Sequence, residues 1–543
     1  MLTGCVAWPE DYARRYRERG YWEGVSICDA LARSIALRPE KVALVHGAER
    51  ITYAELGVRI ERLAVQFVRR GLKPLERVVL QLHNVPEFAY AFFGLIRAGC
   101  IPVMALRAHR HTEVRHFITA SGAAAYVIPD TLRGFDYRAM AEEMRAMCPS
   151  LREVFVAGEP LAGQHSLADL MDAPSSLQEL PRLDPSEVAL MLLSGGTTSL
   201  SKLIPRTHDD YVYNAKRCGL LAGFAEHTVL MPILPLGHNY NLASPGLMGA
   251  LYHGGTVVLA PSGDAETVFP LIEREGVTVI PAAVPLISAW LAGRVHGHHD
   301  LSTLKVVQNG GARLAPELRA RLRDRLGCTP QEIYGTAEGL ISMVRLYGDD
   351  EAVLESSGIP ICDDDEIEVL DDEGRAVPDG SPGELCVRGP YTIRGYYNAP
   401  EKNLEGFTPE GFYRMGDYVR KRGRQLYTEG RRKDTINRGG EKISCDEIEN
   451  YLFAHPKVKA ATLVAMPDEA FGEKACAFVI PKPGATLTLG EIVDFLKGHR
   501  IASFKLPERL EVVDEFPTSP VGKILKRELR ERIAAQLASE RKT

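Results

Sequence analysis

The cysteines of this chain form no pattern. Ten are scattered, at Cys5, Cys28, Cys100, Cys148, Cys218, Cys328, Cys362, Cys386, Cys445 and Cys476, with no CxxC pair and no other metal-ligand spacing among them. That excludes a zinc ribbon or a disulfide scaffold and leaves reduced thiols as the simplest reading. Long hydrophobic runs are missing too. The most apolar window, Ala89 to Leu106, is broken by Arg97, Gly99 and Pro102, so it predicts a buried helix turning into a strand and not a membrane span. The opening segment MLTGCVAWPEDYARRYRERG carries acidic and basic residues where an export signal needs an apolar stretch. Positive charge is not in excess either: a formal net charge of −6 argues against a broad nucleic-acid footprint. These absences predict a soluble cytoplasmic protein with neither a membrane nor a nucleic-acid partner.

What is present is length and alternation. A single core stops growing at about 250 to 300 residues, so 543 residues imply at least two domains. The proportions of 45% hydrophobic and 25% charged residues are those of a globular protein. From Ile51 to Val284, amphipathic stretches alternate with the short β-branched runs RVVLQL, AAYVIP, REVFVAG, GTVVLAP and VTVIPAAV. This pattern predicts βαβ units and an α/β fold with parallel-rich sheets flanked by helices. Near Asp363 the texture changes to short strands separated by Gly, Pro and Asp turns, EIEVLDDEGRAVPDGSPGELCVRG, which predicts a small β-rich unit. The charged, glycine-rich stretch EGRRKDTINRGGEK then precedes a compact α+β pattern. A boundary in its first part gives an N-terminal domain of residues 1–432 and a C-terminal domain of 433–543.

The segment with the most chemical content is Ser194-Gly195-Gly196-Thr197-Thr198-Ser199-Leu200-Ser201-Lys202, placed just after the apolar run VALMLL. Small residues let backbone N–H groups approach phosphate oxygens, hydroxyls donate to them, and the lysine supplies countercharge. The GxxxxGK[ST] spacing of a Walker loop is absent. A solvated linker has a similar composition, so the loop acquires meaning from its companions.

Those companions form an ordered set. SGGTTSLSKLIPRTHDDY resembles the phosphate loop of the acyl-adenylate-forming superfamily, which includes acyl-CoA synthetases, luciferases and nonribosomal peptide adenylation domains. The motifs Gln308-Asn309-Gly310-Gly311-Ala312, Tyr334-Gly335-Thr336-Ala337-Glu338-Gly339, Tyr413-Arg414-Met415-Gly416-Asp417, Gly430-Arg431-Arg432-Lys433-Asp434 and Pro520-Val521-Gly522-Lys523-Ile524 follow in the superfamily's order. The resemblance covers nearly the whole chain. It implies a large N-terminal domain and a mobile C-terminal one, with ATP and Mg²⁺ as cofactors. Tyr334 would pack on adenine beside Gly335 and Thr336. Gly311 and Ala312 would form the turn next to it, Asp417 would bind the ribose, and Arg431 the nucleotide. Glu338 would hold Mg²⁺, Lys433 would be the hinge, and Lys523 the catalytic lysine. Each charged residue taken singly also reads as an exposed carboxylate, a turn former or a solvated charge; six motifs in one order do not.

Pro235-Leu236-Gly237-His238-Asn239-Tyr240-Asn241-Leu242-Ala243-Ser244-Pro245-Gly246 is similar, more narrowly, to the stand-alone aryl-acid adenylating enzymes of catechol and phenolate siderophore pathways. In that resemblance Asn239 reaches the aryl 2-hydroxyl, Ser244 lies near the 3-hydroxyl and His238 sits by the carboxylate. Tyr240, Gln308, Asn309, Gly310, Ile333 and Ile341 complete the pocket. HNYNLASPG contains no aspartate to pair with an α-ammonium, which fits an acid lacking that amine. A serine facing the 3-position favours 2,3-dihydroxybenzoate, with salicylate next. Departures from the pattern are Asn241 in place of proline, Asn309 in place of an aliphatic residue, Ser342 in place of asparagine, the bulkier Ile333 and Ile341, and Ser199 in place of glycine. A hydroxypicolinate or an aminobenzoate is therefore a further alternative, and changes behind the pocket that leave the acid the same are an equal one.

The implied acceptor is the phosphopantetheine thiol of a separate aryl carrier protein, which Arg431, Arg432 and Lys442 would meet if they are more than solvated charges. An aryl-CoA ligase, and a non-catalytic nucleotide-binding protein of the same fold, are the rivals. His296, His298 and His299, and likewise His109, His111 and His116, lack the cysteines or HExxH spacing of a metal site, and read as loop and surface residues.

Overall fold

The computed structural model describes residues 1–174, 180–194, 201–293, 298–311, 313–371, 373–431, 434–438, 441–468, 471–499, 501, 503–518 and 524–540, with residues 350, 431, 437, 441 and 442 as backbone alone. Within these, the short β-branched runs become strands of two parallel-rich sheets, because βαβ crossovers leave such strands covered on both faces. The first sheet has nine strands. Val42–His46, Thr256–Val258, Val229–Leu230, Val279–Ala282, Val306–Gly310 and Thr329–Gly335 run parallel through its middle. Glu49–Thr52 at one end, and Ile341–Met343 with Ile359–Pro360 at the other, close it in antiparallel fashion. The second sheet has seven strands in the order Leu203–Thr207, Val188–Leu193, Ile101–Met104, Arg77–Leu80, Ala125–Pro129, Glu153–Ala157, His165–Ser166, the first of them antiparallel.

One core joins the two sheets. Leu44 and Val257 come from the first, Leu80 and Leu190 from the second, and Phe67, Phe92 and Tyr211 from the helices Tyr53–Arg69, Pro86–Arg97 and His208–Leu221. The apolar window at Ala89 is thus a helix followed by the strand Ile101–Met104, all four of whose residues are buried. Among the described residues no helix is long and apolar enough to cross a membrane.

The β-rich segment after Asp363 forms a four-stranded antiparallel meander, Glu366–Leu370, Pro382–Arg388, Tyr413–Arg422 and Gln425–Arg431. A further five-stranded sheet draws only on residues from Ile436 onward. Its strands Val458–Asp468 and Gly472–Pro481 pair antiparallel, and the helices Cys445–Ala454, Leu489–Gly498 and Lys526–Glu540 accompany it. The last helix begins at Lys526, within a run that looks solvated. Leu529 and Ile533 are buried four residues apart, one stripe of an otherwise charged helix. The Lys526 ammonium lies 2.7 Å from Glu449 and 3.7 Å from Asp446.

The junction between the two large sheets rests on a buried ion pair. Thr207 and Asp210 form a capping box at the start of His208–Leu221: Thr207 N–H donates to Asp210 Oδ2 (2.8 Å) and Asp210 N–H to Thr207 Oγ1 (3.2 Å). The other carboxylate oxygen accepts from Arg206 Nε at 2.8 Å, with both side chains at most 1% exposed. Burial pushes the Asp210 carboxyl up and the guanidinium opposes it. Arg206 also donates to the carbonyls of Ala337 (2.9 Å) and Tyr391 (3.1 Å). One guanidinium therefore ties a strand end, a helix start and two distant loops. Removing one partner of such a pair costs about 3–5 kcal/mol. Arg206→Met should lower the urea midpoint by a corresponding amount; an unchanged midpoint would show that the pair does not hold the junction.

Candidate active site

The loop expected to hold phosphate leaves and re-enters the second sheet through a closed base. Ser194 N–H donates to the Lys202 carbonyl (3.0 Å) and Lys202 N–H to Ser194 Oγ (2.9 Å). Gly195, Gly196, Thr197, Thr198 and Ser199 lie outside the described residues. His116 Nε2 meets the Ser201 carbonyl at 2.9 Å, a brace at the loop's base that its spacing in AHRHTEVRH does not advertise. The Lys202 ammonium sits 4.2 Å from the centroid of the Tyr396 ring, a cation–π contact. The Tyr396 hydroxyl donates to Glu338 Oε1 at 3.0 Å. Burial lowers the Lys202 pKa and Glu338 opposes the shift. Lys202, Tyr396 and Glu338, widely separated in sequence, thus form one cluster.

Glu338 is presented by a tight loop. Thr336 Oγ1 donates to the Gly339 carbonyl (2.8 Å), Ile393 N–H donates to the Glu338 carbonyl (2.8 Å), and Arg206 holds the Ala337 carbonyl. Gly339 has a φ of +148°, and a β-carbon there would lie 2.4 Å from the backbone of Thr392, so only glycine lets the two loops close. On the strand leading into this loop, the Tyr334 hydroxyl donates to Asp417 Oδ2 at 2.8 Å. This joins the two residues expected at adenine and ribose. Asp417 is the cross-strand partner of Arg431, whose side chain is outside the described residues. Gly335 packs under Ile341, and Gly311 follows the strand Val306–Gly310 with a φ of +85°. Ala312, Lys433 and Lys523 are not among the described residues.

Gly310 and Ile333 are neighbours on adjacent parallel strands. A β-carbon built on Gly310 would come within 3.0 Å of the Tyr240 ring, so the missing side chain is the space the ring occupies. Tyr240, Ile333 and Ile341 are all buried. His238 caps the short helix Asn239–Ala243 by accepting from Tyr240 N–H (3.3 Å), which turns the next residues inward. Asn239, which precedes Tyr240 on this helix, belongs to a buried polar quartet. The Tyr211 hydroxyl donates to Asn239 Oδ1 (2.8 Å), and Asn239 Nδ2 and Asn214 Nδ2 each donate to Ser244 Oγ at 3.3 Å. Tyr211 and Asn214 lie one turn apart on His208–Leu221. Neither carries a motif signal, although the RTHDDY resemblance ends on Tyr211.

Two departures from the family pattern have partners inside the protein. Asn309 Nδ2 donates to Glu332 Oε2 (3.0 Å), which also accepts from Leu314 N–H (3.2 Å) and lies 2.6 Å from Arg319. Side chains alternate along a strand, so the Asn309 carboxamide is on the face opposite Gly310, away from the slot in which the sequence puts it. Asn241 Nδ2 donates to the Leu234 carbonyl and closes its own loop. Ser342 pairs with Tyr334 across the sheet, on the face opposite Ile341. Gln308 does share the Gly310 face; its Nε2 donates to Gln331 (2.9 Å), and its Oε1 is buried with no donor among the described residues.

Of the histidines, His109 is not a plain surface residue: its Nδ1 accepts from Leu106 N–H (3.0 Å) and its ring packs edge-on against Phe117, and burial lowers its pKa to about 4. His111 lies 3.3 Å from Glu143 and His299 2.9 Å from Glu273.

Known proteins share this arrangement. Residues 31–397 match the AMP-binding enzyme family and residues 447–523 the AMP-binding enzyme C-terminal domain. The 2,3-dihydroxybenzoate-AMP ligase of Bacillus subtilis (strain 168) is 44% identical over 538 residues, 99% of each chain. The vibriobactin-specific 2,3-dihydroxybenzoate-AMP ligase of Vibrio cholerae serotype O1 is 40% identical over 534 residues, 98% of each chain. Among solved structures, the anthranilate CoA ligase AuaEII in complex with anthranoyl-AMP superposes with a TM-score of 0.88 at 25% identity, covering 95% of this chain and 98% of that one. The ordered motifs, the two parallel-rich sheets and these full-length matches place the chain in the acyl-adenylate-forming, AMP-binding enzyme family.

Proposed function

We propose that this enzyme uses ATP to convert an aromatic carboxylic acid, 2,3-dihydroxybenzoate first and salicylate next, into its acyl-AMP and pyrophosphate. It then passes the aryl group to the phosphopantetheine thiol of an aryl carrier protein in siderophore-type peptide synthesis. The carrying observation is the slot of Gly310, Tyr240 and Ile333. The Tyr240 ring packs over Gly310, the strand neighbour of Ile333, and the short helix that carries Tyr240 also carries Asn239 of the Tyr211, Asn214, Asn239 and Ser244 quartet. No member of the quartet is acidic, as suits an acid without an α-amine.

The carboxylate is already a competent nucleophile near neutral pH. What opposes the reaction is the approach of one anion to another, and the charge that builds on the equatorial oxygens of the α-phosphate. The roles we assign are therefore electrostatic. Lys523 reaches the carboxylate and the α-phosphate, Lys202 and the loop before it cradle the pyrophosphate, and His238 lies by the carboxylate. Tyr334, Gly311 and Ala312 bound the adenine, and Asp417 with Arg431 the ribose side. Glu338, taking one hydrogen bond from Tyr396 and keeping further lone pairs, is a hard oxygen ligand that would hold Mg²⁺ in part, and the ion would neutralise phosphate charge.

Support for the lysine comes from its flanks. Thr518 and Ile524 form an antiparallel bridge, Leu525 N–H donates to the Pro517 carbonyl at 2.8 Å, and Lys526 is tied to Glu449, so the chain on either side of Lys523 is fixed. The division at residues 432 and 433 is also a proposal. It is supported by the end of one sheet at Arg431 and the start of the next at Ile436. A pivot at Lys433 would let the small domain exchange the lysine loop for the 438–442 face once pyrophosphate leaves.

A second reading, an aryl-CoA ligase, is favoured by the structural likeness to the anthranilate CoA ligase. Turnover with CoA matching that with a phosphopantetheinylated carrier would select it.

Pyrophosphate exchange measured side by side on 2,3-dihydroxybenzoate, salicylate, aminobenzoates and hydroxypicolinate should be fastest with one of the first two; silence with every acid would refute the assignment. Lys523→Ala should reduce acid-dependent exchange by roughly 10² to 10³ or more while ATP binding persists. Exchange at the native rate would remove the lysine from the mechanism. Lys433→Pro should spare adenylation and stop thioester formation, and equal loss of both half-reactions would argue against the pivot.

A further inference from the structure

The hydrogen bonds around Ser244 can be counted. A serine oxygen has two acceptor lone pairs and one O–H. Asn214 Nδ2 and Asn239 Nδ2 both donate to Ser244 Oγ, each at 3.3 Å. The orientation of each amide is set from elsewhere. Asn214 Nδ2 also donates to the Ala243 carbonyl at 2.8 Å, which keeps its nitrogen on that side, and Asn239 Oδ1 accepts from the Tyr211 hydroxyl at 2.8 Å, which turns its nitrogen toward Ser244. Burial raises the Tyr211 pKa, so the phenol stays protonated and donates. Asn214, Asn239 and Ser244 are all buried.

With both lone pairs taken, Ser244 has only its O–H left to offer a ligand. We propose that Asn214 is a positioning residue that fixes Ser244 as a hydrogen-bond donor, so that the pocket selects aromatic acids bearing an acceptor oxygen beside the ortho-hydroxyl and rejects a donor of the same size there. The proposal rests on the aryl-acid reading above, in which Ser244 faces the ring's 3-position. A 3-hydroxyl satisfies it, because that oxygen accepts from Ser244 while its own hydrogen turns to the neighbouring 2-oxygen. A 3-amino group does not, since its lone pair is delocalised into the ring and its N–H bonds would point at an O–H. A buried polar group left unmatched is what makes such discrimination steep.

The test compares 2,3-dihydroxybenzoate with 3-aminosalicylate, which differ in this one group, with salicylate as the reference that carries nothing at the 3-position. In the native enzyme, pyrophosphate exchange should favour the dihydroxy acid over the amino acid by about tenfold or more in kcat/KM, the size of one mismatched buried hydrogen bond. The difference should lie in the KM for the acid and not in that for ATP. Asn214→Leu, which keeps the volume and deletes the donor, frees one lone pair on Ser244, and the ratio should fall to within about threefold. Because the ratio is taken within each protein, a general loss of activity cancels. Equal use of the two 3-substituted acids by the native enzyme, or a ratio unmoved in Asn214→Leu, overturns the proposal. If that variant does not fold, the native comparison decides alone. Exchange with salicylate but no preference between the 3-substituted acids sinks this inference and leaves the adenylation reading standing; no exchange with any of the three sinks that reading instead.

Discussion

The Arg206–Asp210 pair is the constraint on which the site depends. A fully buried charge pair stabilises a fold only if its remaining hydrogen-bonding positions are filled, and here they are: one carboxylate oxygen serves the helix cap, the other the guanidinium, and the guanidinium's further donors go to two loop carbonyls. Those carbonyls belong to Ala337, next to Glu338, and to Tyr391, in the segment leading to Tyr396. The helix so capped carries Tyr211 and Asn214. The loop of Glu338 and the helix of Tyr211 and Asn214 are thus both held by groups that touch one arginine.

That economy accounts for how residues far apart in sequence converge. Strands of the first sheet deliver Gly310, Ile333 and Tyr334 at their ends, where ligand sites of parallel α/β sheets are found. The second sheet delivers Ser194 and Lys202 from two antiparallel strands. The meander supplies Asp417, and Tyr396 bridges the remaining gap by accepting the Lys202 ammonium on its face while donating its hydroxyl to Glu338. An ammonium and a carboxylate are thereby kept apart by one aromatic ring in place of being neutralised by direct contact.

Much of this was readable from the chain. Strands such as RVVLQL and VTVIPAAV are legible because burial on both faces demands uninterrupted apolar residues, and the helix at Ala89 because Gly99 and Pro102 punctuate it. The motif segments are legible because, taken in order, they resemble those of the superfamily, and their small, hydroxylated and acidic residues are grouped. What resisted reading is what depends on the third dimension. Lys526 sits in a run that looks solvated, yet its half-buried ammonium is paired with Glu449. Asn309 looks like a pocket residue, since its neighbours are, and only the pleat shows that it turns the other way. Tyr396, Asn214 and His116 act through contacts made across tens to hundreds of residues, which no local pattern records.

The pleat at Gln308, Asn309 and Gly310 has a consequence for how such a pocket changes over time. Successive residues answer to different masters: Gly310 to the bulk of the ring beside it, Asn309 to a buried charge cluster on the far side. Divergence at position 309 is therefore free to track the mending of that cluster while the acid accepted stays the same. Two lineages could share a substrate and differ there, or agree there and part company in what they activate.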